Sequence, residues 1–232
     1  MPSLFQAVIT ARQSLTDQSP PTQRLVLQMD PQFAFQAGQY LLAMGSNGAQ
    51  IPLSIASIPT DLPALTLLYR STEGDATAAA MDALLAADSF QVSAAQGDCL
   101  CPAAGTTTLL VAGGTGISQV LACARERAPD DTAGTEILWC VDQAADLFYT
   151  DELAELGHLT TVIDPRRGAD NRGMLWLQQR FATANPDSQG WPQQVLLSGS
   201  PAFVYAATDV LLACGYPQDQ MVADVYAYAP RQ

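Results

Sequence analysis

Residues 109–119 read Leu-Leu-Val-Ala-Gly-Gly-Thr-Gly-Ile-Ser-Gln, and this stretch decides the fold. Its first four residues are apolar, as in a buried strand, and residues 117–125 have the pattern of a helix. Between them, the glycines at 113, 114 and 116 allow a sharp turn and a close approach of the backbone to a ligand. A strand, a glycine turn and a helix together aim free backbone N–H groups and a helix dipole at a phosphate. The stretch therefore predicts a phosphate-binding loop, and an ordinary tight turn is the alternative.

Downstream of this loop, apolar strand patterns alternate with helix patterns. Predicted strands cover 107–112, 136–141, 159–163, 194–197 and 221–225, and predicted helices cover 117–127, 150–156, 174–183 and 202–214. This alternation favours a mainly parallel sheet with helices on both faces, in which ligands bind beyond the carboxyl ends of the strands. Because Ser198-Gly199-Ser200-Pro201 also follows a strand, the two glycine loops together predict a dinucleotide cleft. In isolation, the second loop is equally typical of an ordinary helix start.

The first hundred residues have a different pattern, with short strands separated by turns rich in Gly, Pro and Asp. Predicted strands cover 5–10, 24–29, 39–44, 51–57, 65–69 and 90–92, and one predicted helix covers 76–87. Short strands at close spacing favour a small antiparallel β-barrel. The sequence therefore predicts two domains, a barrel at 1–102 and a nucleotide-binding α/β domain at 106–232.

Composition excludes several classes of function. The chain of 232 residues has 48% hydrophobic residues, a net charge of −13 and no lysine. Clustered positive charge is what nucleic acid requires, so we expect no nucleic-acid binding, and lysine Schiff-base chemistry is excluded. Neither a run of eighteen apolar residues nor a signal peptide is recognisable. We expect a soluble, cytoplasmic protein without a membrane span.

No metal site is predicted. The five cysteines, at 99, 101, 123, 140 and 214, contain no C-x-x-C pair and lack the spacing of a zinc or iron–sulfur site. Reduced thiols are the expected state. The single histidine, His158, precedes a predicted strand, and a surface position is expected for it.

Four segments resemble motifs of the ferredoxin–NADP reductase superfamily. Residues 51–57, Ile-Pro-Leu-Ser-Ile-Ala-Ser, resemble its flavin-binding Arg-Pro-aromatic-Ser-x-Ala-Ser segment, and residues 35–40 resemble the Phe-x-x-Gly-Gln-Tyr that precedes it. Residues 111–118 match its pyrophosphate loop, and residues 198–201 are similar to its Cys-Gly-x-Pro loop. Within this superfamily the chain looks most like the bacterial NAD(P)H:flavin oxidoreductases, in which flavin is a loosely held substrate.

The resemblance implies hydride transfer from a nicotinamide nucleotide to a flavin between the two domains. It implies catalytic roles for Ser54, near flavin N5, and for Asp224, near the nicotinamide. It implies that the cofactors are bound by a larger set, namely Pro52, Leu53, Ile55, Tyr69, Gly113, Gly114, Thr115, Gly116, Ile117, Gly199, Ser200, Pro201 and Tyr226. From the residues alone, an ordinary strand serine is the less favoured alternative for Ser54. Alternation on a terminal strand is an equally good account of Tyr226 and Tyr228.

The chain departs from the superfamily pattern on the flavin side. Ile51 stands where the superfamily has arginine, and Leu53 replaces an aromatic residue. The second phosphate loop is missing, since the corresponding place reads Gly74-Asp75-Ala76-Thr77-Ala78, with a carboxylate that would repel phosphate. These departures predict weak retention of riboflavin, FMN or FAD. Replacing Ile51 by arginine is then expected to strengthen flavin binding.

The coenzyme is predicted to be NADH, because Asp142 or Asp146, which follow the second strand of the α/β domain, would repel a 2′-phosphate. Arg166, Arg167 and Arg172 keep NADPH as an alternative. Three functions stay open: a reductase of diffusible flavin that supplies a flavin-using enzyme, a flavoprotein reductase that passes electrons to a protein partner, and a non-catalytic nucleotide-binding or regulatory protein.

Overall fold

The computed structural model describes residues 3–45, 48–71, 76–182 and 190–231. Two sheets are present, one antiparallel and one parallel. The two-domain fold predicted from the sequence, a β-barrel followed by a nucleotide-binding α/β domain, is therefore confirmed.

The first sheet has six antiparallel strands in the order β4-β3-β6-β1-β2-β5. Their bounds are β1 Leu4–Ser14, β2 Thr22–Met29, β3 Tyr40–Met44, β4 Gln50–Ser54, β5 Ala64–Arg70 and β6 Ser89–Ser93, with helix α1 at Ala76–Ala86 between β5 and β6. A bridge between Ile55 and Leu67 brings the two edge strands together, so that the sheet closes into a barrel. Alternate residues of these strands fill the barrel interior, which contains Leu25, Leu41 and Leu65.

The second sheet has five parallel strands in the order β11-β10-β7-β8-β9. The strands are β7 Thr108–Gly113, β8 Thr135–Val141, β9 His158–Ile163, β10 Gln194–Ser198 and β11 Met221–Val222. The helices are α2 Ile117–Asp131, α3 Thr150–Leu156, α4 Arg172–Ala182, α5 Pro201–Ala213 and α6 Val225–Tyr228. Because β7 is central, the loop that follows it lies where a doubly wound sheet binds ligands.

Two predicted strands end earlier than their sequence patterns suggest. The strand predicted at 51–57 ends at Ser54. The strand predicted at 221–225 ends at Val222, and the short helix α6 begins at Val225. Residues 224–228 are therefore not an extended strand. The carboxylate of Asp224 is held by two long-range hydrogen bonds, which a local pattern does not reveal.

One hydrophobic cluster joins the domains. Ala56 and Leu68 of the barrel pack with Val120 and Cys123 of α2 and with the strands of the parallel sheet. Among the described residues, no helix combines the length and apolarity needed to cross a bilayer.

Candidate functional site

A cleft of about 470 Å³ lies between the barrel and the carboxyl edge of the parallel sheet. The barrel side consists of β4, the end of β5 and Tyr40, and the α/β side consists of the two glycine loops and the segment around Asp224. Predicted site residues that line it are Pro52, Leu53, Ser54, Tyr69, Thr115, Gly116, Gly199, Ser200 and Asp224. Residues from both ends of the chain thus meet at one opening.

The two glycine loops touch each other. A Cβ on Gly116 would lie 2.4 Å from the carbonyl oxygen of Ser198, so only glycine permits this approach. Gly114 has a φ of +55° and faces open space. Its carbonyl oxygen accepts a hydrogen bond of 3.0 Å from Trp139 Nε1, which holds the loop against β8. The loop therefore presents bare backbone to the opening.

Two helices begin beside these loops. α2 starts at Ile117, whose side chain is buried beneath the loop. α5 starts at Pro201, which is exposed, and Ser200 caps it by accepting a hydrogen bond from the backbone N–H of Phe203. The first turns of both helices direct backbone N–H groups and positive dipole ends to the same side of the sheet. This arrangement suits an anionic group.

A second pocket, of about 380 Å³, continues from the cleft along the carboxyl ends of β7, β8 and β9. Arg70, Thr115 and Ser200 line both spaces. Gly113 and Asp142 line the second pocket. The two spaces therefore form one elongated site, with the glycine loops near its middle.

Arginines neutralise the carboxylates of the second pocket. Arg167 donates two hydrogen bonds of 2.6 Å to Asp142, and this guanidinium lowers the pKa of the carboxyl. Arg166 pairs in the same way with Asp164, and together with the backbone N–H groups of Arg166 and Arg172 it lowers the pKa of that carboxyl. Asp142 therefore lines the pocket, and both of its carboxylate oxygens accept hydrogen bonds from Arg167.

Side chains of β4 alternate in burial, and the buried Ile51 and Leu53 contribute both to the barrel core and to the cleft wall. Pro52 is exposed and Ser54 is half-buried. Ile51 and Leu53 are only 4% and 6% exposed and belong to the barrel core. Ile55 is fully buried, and its backbone N–H donates to the carbonyl oxygen of Gln39. Ser54 is thus the polar group that this strand offers to the cleft.

Asp224 lies at the junction of three segments. One oxygen accepts from the backbone N–H of Cys99 at 3.2 Å, and the other accepts from Gln119 Nε2 at 2.9 Å. Gln119 also donates to the carbonyl oxygen of Gly38 in the barrel. Burial raises the pKa of Asp224, and the two hydrogen bonds partly oppose this shift. The carboxylate is therefore fixed in position at the cleft wall.

The two C-terminal tyrosines point in different directions. The Tyr226 hydroxyl lies 2.7 Å from Thr208 Oγ1 of α5, and Tyr226 is not among the residues that line the cleft. Tyr228 lines the cleft and is 52% exposed. Because residues 225–228 are helical, the alternation of a strand does not apply to them.

Several site residues were not anticipated from the sequence. Gln119, Arg70, Tyr40 and Tyr228 all border the cleft. Arg70 also joins the domains, since its guanidinium donates to Asp146 after β8 and to Gln18 of the barrel. Gln119, a polar residue directly before the apolar run 120–124 of α2, was a usable signal. The partners of Arg70 are 52 and 76 residues away.

The model of the oxidoreductase NAD-binding domain family matches residues 110–225, which is half of the chain. The chain belongs to this family. The matched region of this oxidoreductase begins within β7 and contains the first glycine loop, the helices from α2 to α5, and Asp224. No curated protein matches the sequence.

Solved structures show the same fold across both domains. The Amycolatopsis cytochrome P450 reductase GcoB has a TM-score of 0.76 at 23% identity, covering 96% of this chain and 69% of its own. A ferredoxin reductase of carbazole 1,9a-dioxygenase has a TM-score of 0.75 at 17% identity, and the match covers 95% of this chain and 68% of that protein. The ferredoxin-NADP+ reductase of Plasmodium falciparum has a TM-score of 0.72 at 15% identity, and the match covers 91% of this chain and 90% of that protein. Together with the family match, they show that this oxidoreductase has the two-domain fold of ferredoxin-NADP+ reductases.

The site fits a nicotinamide dinucleotide. The loop at Gly114 leaves open space where a larger residue would project, and Gly116 lets the loops close against each other. A pyrophosphate needs this kind of bare backbone at a helix start. On the flavin side the cleft offers Pro52, Ser54 and Tyr69, and the arginine expected at position 51 is absent. Gly74 and Asp75, where the second phosphate loop was sought, lie outside the described residues.

Proposed function

We propose that the chain is an NADH-dependent reductase that transfers hydride to a weakly bound or diffusible flavin. The main observation behind this proposal is that one cleft is lined by Ser54 of the barrel, by the two glycine loops and by Asp224. The cleft continues into a pocket along the parallel sheet. The bound cofactors supply the hydride chemistry, and the protein supplies orientation and electrostatics.

The α/β side is assigned to the nucleotide. Backbone N–H groups at Gly114–Gly116 and at the start of α5 would hold the pyrophosphate, and Arg70 would add positive charge where the two spaces meet. Asp142 would lie toward the adenosine half, where an uncharged ribose hydroxyl is easier to accept than a 2′-phosphate. NADPH stays the alternative, because Arg166 and Arg167 line the same pocket.

Three side chains are assigned to the hydride-transfer end. Ser54 would hold or relay a proton at the acceptor nitrogen of the flavin. The fixed carboxylate of Asp224 would offset the positive charge that develops on the nicotinamide ring. Tyr228, which lines the cleft, takes the covering role that the resemblance gave to Tyr226.

Weak retention of flavin is supported by the charges around the cleft. Arg70 is the single cationic side chain among the described residues that line it, and Asp146 and Gln18 already engage its guanidinium. A flavin phosphate would therefore find no unengaged arginine among these residues. Ile51 and Leu53 offer aliphatic surface only.

A protein acceptor is the second candidate, because two relatives of the same fold are a cytochrome P450 reductase and the ferredoxin reductase of a dioxygenase. In that case flavin would stay bound and a protein would take the electrons. A non-catalytic nucleotide-binding protein is the third candidate, which the departures at Ile51 and Leu53 keep open.

The deciding experiment follows NADH oxidation by purified protein with added riboflavin, FMN or FAD. We expect flavin-dependent oxidation, little flavin after gel filtration and slower turnover with NADPH. Ser54→Ala should lower the hydride-transfer rate about ten- to hundred-fold. Ser89→Ala, on an exposed position of β6, is the matched control and should leave it unchanged.

Other results would favour the other candidates. Stoichiometric flavin that survives gel filtration, with electrons passed to a protein acceptor, would favour the second. NADH binding without reduction of any flavin would reject the proposal and favour the third.

A further inference from the structure

Three cysteines converge at the back of the domain junction. Cys99 and Cys101 lie in the segment between β6 and β7, and Cys123 lies in α2. Cys99 and Cys123 belong to the cluster that joins the domains, and Cys101 packs against it. The cysteines are reduced, and the proposed reaction uses none of them.

Cys101 and Cys123 are in direct contact. The thiol of Cys101 donates to the backbone carbonyl oxygen of Cys123 at 3.4 Å. Gly38 packs against both cysteines, because a Cβ at this position would lie 3.1 Å from the backbone nitrogen of Cys101 and 3.2 Å from Cys123 Sγ. Cys99 is separated from Cys101 by one residue, which is poor spacing for a disulfide.

The members of the pair differ in access. Cys101 is half-buried and lines a cavity of about 330 Å³ with Glu126 and Arg127, whereas Cys123 is fully buried. The Cys123 side chain, acting as a hydrogen-bond donor to the Cys101 sulfur, lowers the pKa of Cys101, as does the charge of Arg127, while burial opposes the shift. The same hydrogen bond and burial raise the pKa of Cys123. An accessible thiol of lowered pKa beside a buried thiol is the usual arrangement of an attacking and a resolving cysteine.

We propose that Cys101 and Cys123 form a reversible disulfide, in which Cys101 reacts with a hydroperoxide and Cys123 resolves the product. The Cys101 thiolate attacks the O–O bond of hydrogen peroxide, giving a sulfenic acid and, after protonation of the leaving hydroxide, one water. The Cys123 sulfur then attacks the sulfenic sulfur, forming the S–S bond and releasing a second water. Two thiols are oxidised and one peroxide is reduced, and a dithiol reverses the reaction.

The disulfide would connect the segment between the sheets to the middle of α2. Cys123 is one helical turn after Gln119, which holds Asp224 and the barrel. Oxidation would therefore act on the helix that begins at the glycine loop. The proposal does not depend on the identity of the electron acceptor.

The test treats the full chain with graded hydrogen peroxide and measures its intact mass. We expect a loss of about 2 Da, for two hydrogen atoms, that dithiothreitol reverses. Cys101→Ser and Cys123→Ser should abolish this loss, and Cys214→Ser, the matched control, should retain it. The oxidised wild type should also unfold at a higher temperature than its reduced form.

Peptide mapping of the wild type covers the case in which Cys123→Ser fails to fold. Cleavage after Leu100, Leu109 and Leu121 places Cys99, Cys101 and Cys123 on separate peptides. We expect a reducible link between the peptides of Cys101 and Cys123. An unchanged mass, a link that includes Cys99, or accumulation of Cys101 as sulfinic acid would overturn the proposal.

Discussion

Gly114 combines a left-handed backbone with an open position in the site, so its two roles can be separated experimentally. Alanine at φ +55° costs about 1–2 kcal/mol of stability. Its methyl group would also occupy space assigned to the pyrophosphate. Gly114→Ala should therefore raise the Kd for NADH by about ten-fold, for a loss of roughly 1.4 kcal/mol of binding free energy.

Gly105 supplies the matched control, because it has a φ of +81°, also faces open space and lies outside the site. Gly105→Ala should cost similar stability and leave NADH binding unchanged, as titration calorimetry would show. Equal losses of affinity in the two variants would refute the assignment of Gly114.

Ile51 shows that a sequence motif does not reveal how deeply a side chain is buried. The sequence alone predicts that arginine at this position strengthens flavin binding. The side chain is almost fully buried in the barrel core, and a guanidinium there would lose its hydration without a partner. We therefore expect the main effect of Ile51→Arg to be a loss of barrel stability rather than stronger binding of a flavin phosphate.

At the scale of elements, Asp164 connects β9 to α4. Its carboxylate accepts from Arg166 and from the backbone N–H of Arg172, the first residue of α4. Its pKa is lowered on folding, chiefly by Arg166, so the stabilisation is present above the ordinary carboxyl pKa of about 4. It is lost as the pH falls toward the lowered value.

Asp164→Asn should therefore lower the Tm by several degrees at pH 7, and the difference from wild type should shrink below about pH 4. Thermal unfolding at a series of pH values measures this. Asp209→Asn breaks the exposed pair with Arg231 and should have a much smaller effect. A constant difference at all pH values would contradict the role of the charge.

Element order was readable from the sequence because hydrophobic periodicity distinguishes the short barrel strands from the alternating strands and helices that follow. The helix α6 was not readable. The sequence predicts a strand over 221–225, yet the strand ends at Val222, and Cys99 and Gln119 hold the carboxylate of Asp224. Tertiary hydrogen bonds spanning more than a hundred residues determine this local structure.

At the scale of the whole molecule, Arg70 is the ion-pair partner that links the barrel to the parallel sheet. Its guanidinium is part-exposed, whereas the carboxylate of Asp146 is nearly buried. Arg70→Gln should cost about 1–2 kcal/mol of stability, because Asp146 loses its partner. It should also raise the Km for NADH several-fold, because Arg70 lines both spaces of the site.

Asp146→Asn separates the two effects. It breaks the same ion pair and keeps the positive charge, so stability should fall while the Km for NADH stays near the wild-type value. Steady-state kinetics and denaturant unfolding on both variants measure the two quantities. Equal Km values in Arg70→Gln and wild type would show that Arg70 has a structural role only.

The two glycine loops of the candidate site, Gly113–Gly116 and Ser198–Pro201, could be located from the sequence because each is a contiguous motif after a strand. The contacts that assemble the two halves could not. Gln119 reaches Gly38 across 81 residues, and Arg70 reaches Asp146 across 76. Such pairs have no local signature, since each partner looks like an ordinary polar residue in its own segment.

Helix α2 has a consequence for engineering. Three of its residues, Gln119, Cys123 and Arg127, follow one another at intervals of four along one face and make the contacts to the barrel side. Gln119 donates to Gly38 in the barrel, and the carbonyl oxygen of Cys123 accepts from Cys101. Arg127 donates to the carbonyl oxygens of Pro102 and Ala103. A chimaera that grafts this barrel onto another nucleotide-binding domain, cut between β6 and β7, would leave that face behind. The transplantable module is the barrel together with the matching face of α2, so the useful crossover point lies inside a helix of the neighbouring domain.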